Sequence, residues 1–130
     1  MSAKNQHFPA ISVVDDDDAV RDSLRLLLET SGYRVIEYAS GTYFLADPSA
    51  AKADCWICDL HMPDMNGAEM LERARARGWN VSTIIMTGRG DAHLERRLIQ
   101  AKVVRILEKP VGDTALLEWV EKACALTKHE

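Results

Sequence analysis

Residues 55–77 decide the reading: Cys55-Trp56-Ile57-Cys58-Asp59, then Leu60-His61-Met62-Pro63-Asp64-Met65-Asn66-Gly67, then Ala68–Arg77. The first five are an apolar run that ends on a single acid. The next eight carry Pro and Asn-Gly punctuation, which marks a loop. The last ten follow helical spacing and are closed by Gly78. A strand, a loop and a helix in that order form half of a parallel β-α-β unit.

The same unit recurs on both sides. Upstream, Ile11–Val14 is a short β-branched run, and Asp18–Thr30 places Val20, Leu24, Leu27 and Leu28 at helical spacing before Ser31-Gly32. Arg34–Tyr38 reads as a strand, and Gly41–Leu45 as a short helix broken by Asp47-Pro48. Downstream come a strand at Val81–Met86, a charged helix at Asp91–Ala101, a strand at Val103–Leu107 and a helix at Asp113–Leu126. Five strands in strict alternation with helices predict an α/β fold: a five-stranded, parallel, doubly wound sheet between helical layers. Such strands should be apolar throughout, and Ile84-Ile85-Met86 fits.

Bulk properties bound the function. The chain has 130 residues, enough for one domain, and no repeat or linker divides residues 1–130. Its net charge of -4 gives no overall cationic face, so this domain is not expected to bind nucleic acid itself. No apolar run is long enough for a membrane span, and MSAKNQHFPA has no apolar core of a secretory signal. Both point to a cytoplasmic protein. Three cysteines do not make a disulfide framework. Cys55 and Cys58 form C-x-x-C inside a strand, where they point to opposite faces, roughly 10 Å apart at ~3.3 Å per residue. They are not expected to bridge. Trp56, Trp79 and Trp119 read as packing residues with no aromatic cluster around them. His7, His61, His93 and His129 show no metal-ligand spacing.

In open α/β sheets, ligands bind beyond the carboxyl ends of the strands. There the chain places Asp15 to Asp18, Asp59, Thr87-Gly88 and Glu108-Lys109-Pro110. Acids converging on one point repel unless a cation lies between them, and oxygen ligands suit Mg2+. Asp15, Asp16 and Asp59 are therefore the candidate metal ligands. Asp17 and Asp18 have the simpler role of starting a helix. An ionised carboxylate beside a Lys, a hydroxyl and a metal is equipment for phosphoryl transfer onto the carboxylate. Asp59 is the candidate nucleophile, with Thr87 and Lys109 as partners for the phosphoryl oxygens.

With these residues in place, the chain resembles the receiver domains of two-component response regulators from about Ala10 to Leu126. The matching motifs are Val13-Val14-Asp15-Asp16, Asp59 to Gly67, Met86-Thr87-Gly88 and Glu108-Lys109-Pro110. The wording looks most like the nitrogen-fixation regulator type, which is often joined to a helix-turn-helix effector. The resemblance implies a flavodoxin-like (βα)5 three-layer sandwich. It also implies Asp59 as phosphoacceptor, and Mg2+ held by Asp16 and Asp59, by Asp15 largely through water, and by the His61 backbone carbonyl. Thr87 would be the switch hydroxyl. Lys109 would hold the phosphoryl group, with a cis bond to Pro110. The donor would be a phosphohistidine on a histidine kinase or histidine phosphotransfer protein, and the output an unknown downstream protein. The chain would catalyse only its own phosphorylation and dephosphorylation.

Two positions depart from the family. Ile106 stands where such receivers usually carry Phe or Tyr, so coupling through a turning ring has no ring to turn. Lys102-Val103 replaces a usual Gly-Ala pair, so the turn there is expected to differ. By position, His61 and Arg89 would flank the phosphoryl group and set its lifetime. Arg89, His93, Arg96, Arg97, Lys102 and Arg105 suggest a basic patch for an acidic partner, or simply a solvated face. Three functions follow: a stand-alone signalling receiver or phosphate sink, the receiver half of a DNA-binding regulator, and an aspartyl-phosphate hydrolase of small molecules. The last lacks an acid two residues after the nucleophile, where His61 stands, and a lid.

Overall fold

A computed structural model describes residues 8–127. The reading of Met1–His7 as free of a signal, and His7 and His129, lie outside the described residues. Within them the strands are β1 (Ala10–Val14), β2 (Arg34–Tyr38), β3 (Cys55–Asp59), β4 (Thr83–Thr87) and β5 (Arg105–Glu108). The helices are α1 (Asp18–Thr30), α2 (Gly41–Leu45), α3 (Gly67–Ala76), α4 (Ala92–Gln100) and α5 (Asp113–Leu126). Asp47-Pro48 does end α2, but Pro48 also opens a single 3-10 turn, Pro48–Lys52, capped by the Asp47 side chain.

All strand pairs are parallel, in the order β2-β1-β3-β4-β5. The expected doubly wound sheet is present. The three inner strands are buried along their whole length, while β2 and β5 at the edges are partly exposed. The period of two sorts β3 cleanly. Cys55 and Ile57 face α1 and α5, with Leu24, Leu28, Leu116 and Val120. Trp56 and Cys58 face the other layer, with Phe44, Leu71, Leu94 and Leu98. The two thiols of C-x-x-C are therefore on opposite sides of the sheet, as expected.

Side chains set the helix starts. Asp17 accepts from the Ala19 and Val20 N–H groups, Asn66 from Glu69 N–H, and Asp91 from Leu94 N–H. Asp17 and Asp18 thus do serve the start of α1. At the other ends, one motif closes three helices. The Gly32 and Tyr33 N–H groups donate to Glu29 O and Leu28 O, those of Gly78 and Trp79 to Arg75 O and Ala74 O, and those of Lys102 and Val103 to Ile99 O and Leu98 O. This is a Schellman closure, whose penultimate residue takes positive φ. Gly32 has φ 96°, Gly78 has φ 81° and Lys102 has φ 65°.

The expectation that the turn at Lys102 would differ is therefore corrected. The left-handed conformation is present, and a residue with a Cβ adopts it, because the hydrogen bonds of the closure hold it there. Left-handed backbone costs an L-residue about 1–2 kcal/mol. Lys102→Gly is expected to raise stability by about 1 kcal/mol and the thermal midpoint by a few degrees. An unchanged or lowered midpoint would show that the Lys102 side chain offsets the backbone cost.

One further expectation is corrected. An aromatic cluster does surround two of the tryptophans: Trp56 lies edge-on to Phe44 at 4.8 Å and to Trp79 at 6.4 Å, and Phe44 is edge-on to Tyr38 at 5.5 Å. These rings come from β2, α2, β3 and the α3–β4 connection, so the spacing within any one element gave no sign of them. It is still a packing cluster in the core of the α2–α3–α4 layer. Of the basic residues, Arg89, His93, Arg96, Lys102 and Arg105 are exposed, as on a solvated face, and two of the six make contacts with other elements. Arg97 forms a two-pronged pair with Glu72 of α3, at 2.9 and 2.6 Å. Arg105 stacks on Trp119 of α5, 4.8 Å from the ring centre.

Candidate functional site

The parallel sheet brings the ends of β1, β3, β4 and β5 to one edge, and the predicted residues meet there. Asp15, Asp16 and Asp59 each offer a carboxylate oxygen, and the three oxygens lie within 4.8 Å of one another. Asp15 and Asp59 are buried and Asp16 is exposed. Lys109 Nζ lies 3.2 Å from Asp59 Oδ1 and 3.8 Å from Asp15 Oδ2. Thr87 is buried at the end of β4, and its neighbour β5 delivers Lys109, whose N–H donates to Thr87 O at 2.8 Å.

Backbone contacts fix these positions. The Asp15 N–H donates to Tyr38 O, and Asp15 Oδ1 accepts from Asp17 N–H at 2.9 Å. Leu60 N–H donates to Met86 O at 2.9 Å and Gly67 N–H to Leu60 O at 2.8 Å, which folds the β3–α3 loop back on the strand end. Gly67 is required by close approach: a Cβ there would stand 2.9 Å from Asp59 O and 3.2 Å from Leu60 Cα. The sequence Asn66-Gly67 marks the loop, but this steric reason appears only when the chain folds.

Charge is incompletely balanced. Burial pushes the Asp15 carboxyl above its ordinary pKa; the Asp17 N–H opposes this and nearby Asp59 adds to it. Asp15 Oδ2 is buried and accepts no hydrogen bond. A buried carboxylate oxygen without a hydrogen bond, facing two other carboxylates, is what a hard cation satisfies. The donor set is all oxygen, so the residues fit Mg2+ and offer nothing to a soft metal.

The remaining candidates fall around this centre. His61 is half-buried, with Nε2 3.5 Å from Arg89 O, so the two proposed modulators do lie together. Thr87 Oγ1 donates to Arg89 O and accepts from Arg89 N–H at 3.2 Å; its hydroxyl is engaged by its own loop. Ile106 is half-buried, beside Ile85 in register, and packs against the α2–α3–α4 core. The Lys109-Pro110 bond is cis. Asp64, next in the loop, accepts from Thr42 Oγ1 at 2.7 Å and ties the loop to α2.

One residue was missed. Arg21 of α1 donates to the Asp15 carbonyl and pairs with Asp18 and Glu37, clamping the acidic loop from below. A sign was available: a cation near a helix N-terminus is disfavoured by the dipole, so Arg21 needed a reason to be there.

Comparison with known proteins agrees. The family model for the response regulator receiver domain matches residues 11–121. The transcriptional regulatory protein FixJ of Azorhizobium caulinodans is 39% identical over 107 residues, covering 82% of this chain and 51% of that protein. FixJ of Rhizobium meliloti is 34% identical over 113 residues, covering 87% and 55%. The chain thus spans about half the length of the curated relatives it matches. The crystal structure of FixJ-N superposes with a TM-score of 0.84 at 32% identity, covering 95% of this chain and 99% of that one. Among the described residues no helix is long and apolar enough to cross a membrane. The fold, the family model and these relatives coincide, and the chain belongs to the receiver domains of two-component response regulators.

Proposed function

We propose that this receiver accepts a phosphoryl group on Asp59 and loses it again by hydrolysis, catalysing only these two steps on itself. The observation that carries the reading is Lys109 Nζ, 3.2 Å from Asp59 Oδ1 beside a three-carboxylate cluster. A carboxylate oxygen of Asp59 attacks phosphorus as the bond to the donor nitrogen breaks. Lys109 meets the charge on the transferred oxygens. Thr87 exchanges its bond to Arg89 O for one of those oxygens, which releases the β4–α4 loop. Asp15, Asp16, Asp59 and the His61 backbone carbonyl would hold Mg2+. Bound there, it supplies neutralisation of phosphoryl charge.

The donor would be a histidine kinase or histidine phosphotransfer protein, and the recipient a downstream protein bound by the rearranged surface. We take residues 1–130 as one receiver unit of a cytoplasmic protein. The matched stretch covers only about half of the curated relatives, which are named transcriptional regulators, and this favours the receiver part of a longer regulator over a stand-alone relay. The length of the gene separates these two.

Incubation with acetyl phosphate and Mg2+ should add one phosphoryl group to the intact mass. Asp59→Asn, or a chelator, should abolish it. No adduct on the wild type would overturn the reading. His61 and Arg89 sit at the mouth of the site and set the lifetime of the phosphate. A His61→Ala, Arg89→Ala double variant should change that lifetime severalfold, and an equal half-life would remove both residues from the mechanism.

A further inference from the structure

Asp16 is the least supported corner of the acidic cluster. Its carboxylate is exposed, and among the described residues no hydrogen bond reaches it, so only the backbone holds it in place. That backbone is pinned at the residue before. The Asp15 N–H donates to Tyr38 O at 3.1 Å, Asp15 Oδ1 accepts from Asp17 N–H at 2.9 Å, and the Asp15 carbonyl accepts from Arg21 Nη1. This carbonyl belongs to the peptide unit that joins Asp15 to Asp16. A peptide unit is planar, so fixing its oxygen fixes the direction in which the chain enters Asp16.

Arg21 is itself held firmly. It sits in the first turn of α1, and its side chain is 13% exposed. Its Nη2 pairs with Asp18, and its Nε lies 3.3 Å from Glu37 Oε1 on β2. Glu37 Oε2 lies 2.9 Å from Arg25 Nε, one turn further along α1. One guanidinium thus spends all three nitrogens on tying the β1–α1 loop to α1 and to β2. A planar fork can do this, whereas an ammonium cannot.

We propose, on the Mg2+ site given above, that Arg21 is a positioning residue for Asp16: through the Asp15 carbonyl it aims the Asp16 carboxylate at the cluster and so sets the affinity for Mg2+. Two effects of Arg21 oppose each other there. Its positive charge repels a divalent cation, and its hold on the loop preorganises the oxygens that would bind one. The second effect dominates, because Asp18 and Glu37 already lie against the Arg21 charge and offset it.

The test is Mg2+ titration of the full chain by calorimetry, with melting curves at zero and saturating Mg2+. Each titration is run below the Mg2+-free midpoint of that variant, so unfolding does not enter. Arg21→Met should bind Mg2+ about 10-fold more weakly or worse, the loss usual when a contact that orients a metal ligand is removed. Its midpoint should also rise less on adding Mg2+ than that of the wild type. Arg21→Lys keeps the charge, loses the fork and should weaken binding too; it carries the test alone if Arg21→Met does not fold. Arg25→Met takes a cation from the same Glu37 without touching Asp15, and should melt lower yet bind Mg2+ as the wild type does. Tighter binding in Arg21→Met would overturn the proposal, since charge would then govern. Unchanged binding in either Arg21 variant, or an equal loss in Arg25→Met, would also overturn it. A wild type that binds no Mg2+ would instead overturn the Mg2+ reading, and this inference with it.

Discussion

Lys109→Met should slow phosphoryl uptake from acetyl phosphate by about 100- to 1000-fold, the range seen when one preorganised charge donor is lost from a transfer site. Lys109 Nζ lies between two of the three acids, 3.2 Å from Asp59 and 3.8 Å from Asp15. Its removal has a second effect of opposite sign. Without Mg2+ the ammonium is the cluster's nearest counter-charge, so the variant should melt lower than the wild type. The acids then attract a cation more strongly, and Mg2+ affinity should rise. Titration of both proteins by calorimetry, with melting curves at zero and millimolar Mg2+, separates these effects. A variant that takes up phosphate at the wild-type rate, or binds Mg2+ less tightly, would refute the role given to Lys109.

Arg75→Ala should destabilise the fold by about 3 kcal/mol or more, without touching the acidic site at Asp59. The Arg75 guanidinium runs under the α3–β4 and α4–β5 connections. It donates to Ala101 O at 2.9 Å, to Trp79 O at 2.8 Å and to Val81 O at 2.9 Å, with longer contacts to Thr83 Oγ1 and Lys102 O. It also lies over the Trp56 ring at 5.6 Å. Among the described residues no ion pair balances it, and burial lowers its pKa accordingly. The cation is held by carbonyls, including those at the C-terminal end of α4, where a helix dipole favours positive charge. Alanine removes this donor from the Ala101 and Trp79 carbonyls, leaves Val81 O with Thr83 Oγ1 alone, and opens a space against Trp56. Arg75→Lys should recover only part of the loss, because an ammonium cannot fork to several carbonyls at once. Urea denaturation would measure both variants. A loss below about 1 kcal/mol for Arg75→Ala would mean that water replaces the guanidinium.

Two strand boundaries near Arg75 also differ from the sequence reading. The fourth strand was expected to begin at Val81 and begins at Thr83, because Val81 O is turned to Arg75 and Ser82 N–H takes Thr127 Oγ1. The fifth was expected at Val103 and begins at Arg105, because Val103 N–H completes the closure of α4 on Leu98 O. In both cases a β-branched residue favours a strand locally, while its backbone group is claimed by a partner distant in sequence.

The order of elements and the corners of the site were legible in the chain itself. Local signals carry them: apolar runs of strand length, capping residues such as Asp17, Asn66 and Asp91, and acids, Thr87 and Lys109 just past the strands. A parallel sheet requires that strand ends of the same polarity meet at one edge, so listing them in order was enough to assemble Asp15, Asp16, Asp59, Thr87 and Lys109. What depends on side chains from distant segments was decided only in the folded state. This includes the ring cluster of Tyr38, Phe44, Trp56 and Trp79, the pairing of Arg97 with Glu72 and of Arg105 with Trp119, and the positive φ of Lys102. Periodicity reports which face a residue takes on its own element. It carries no information about which other element covers that face, because that is set by the packing of layers whose contacts span tens of residues.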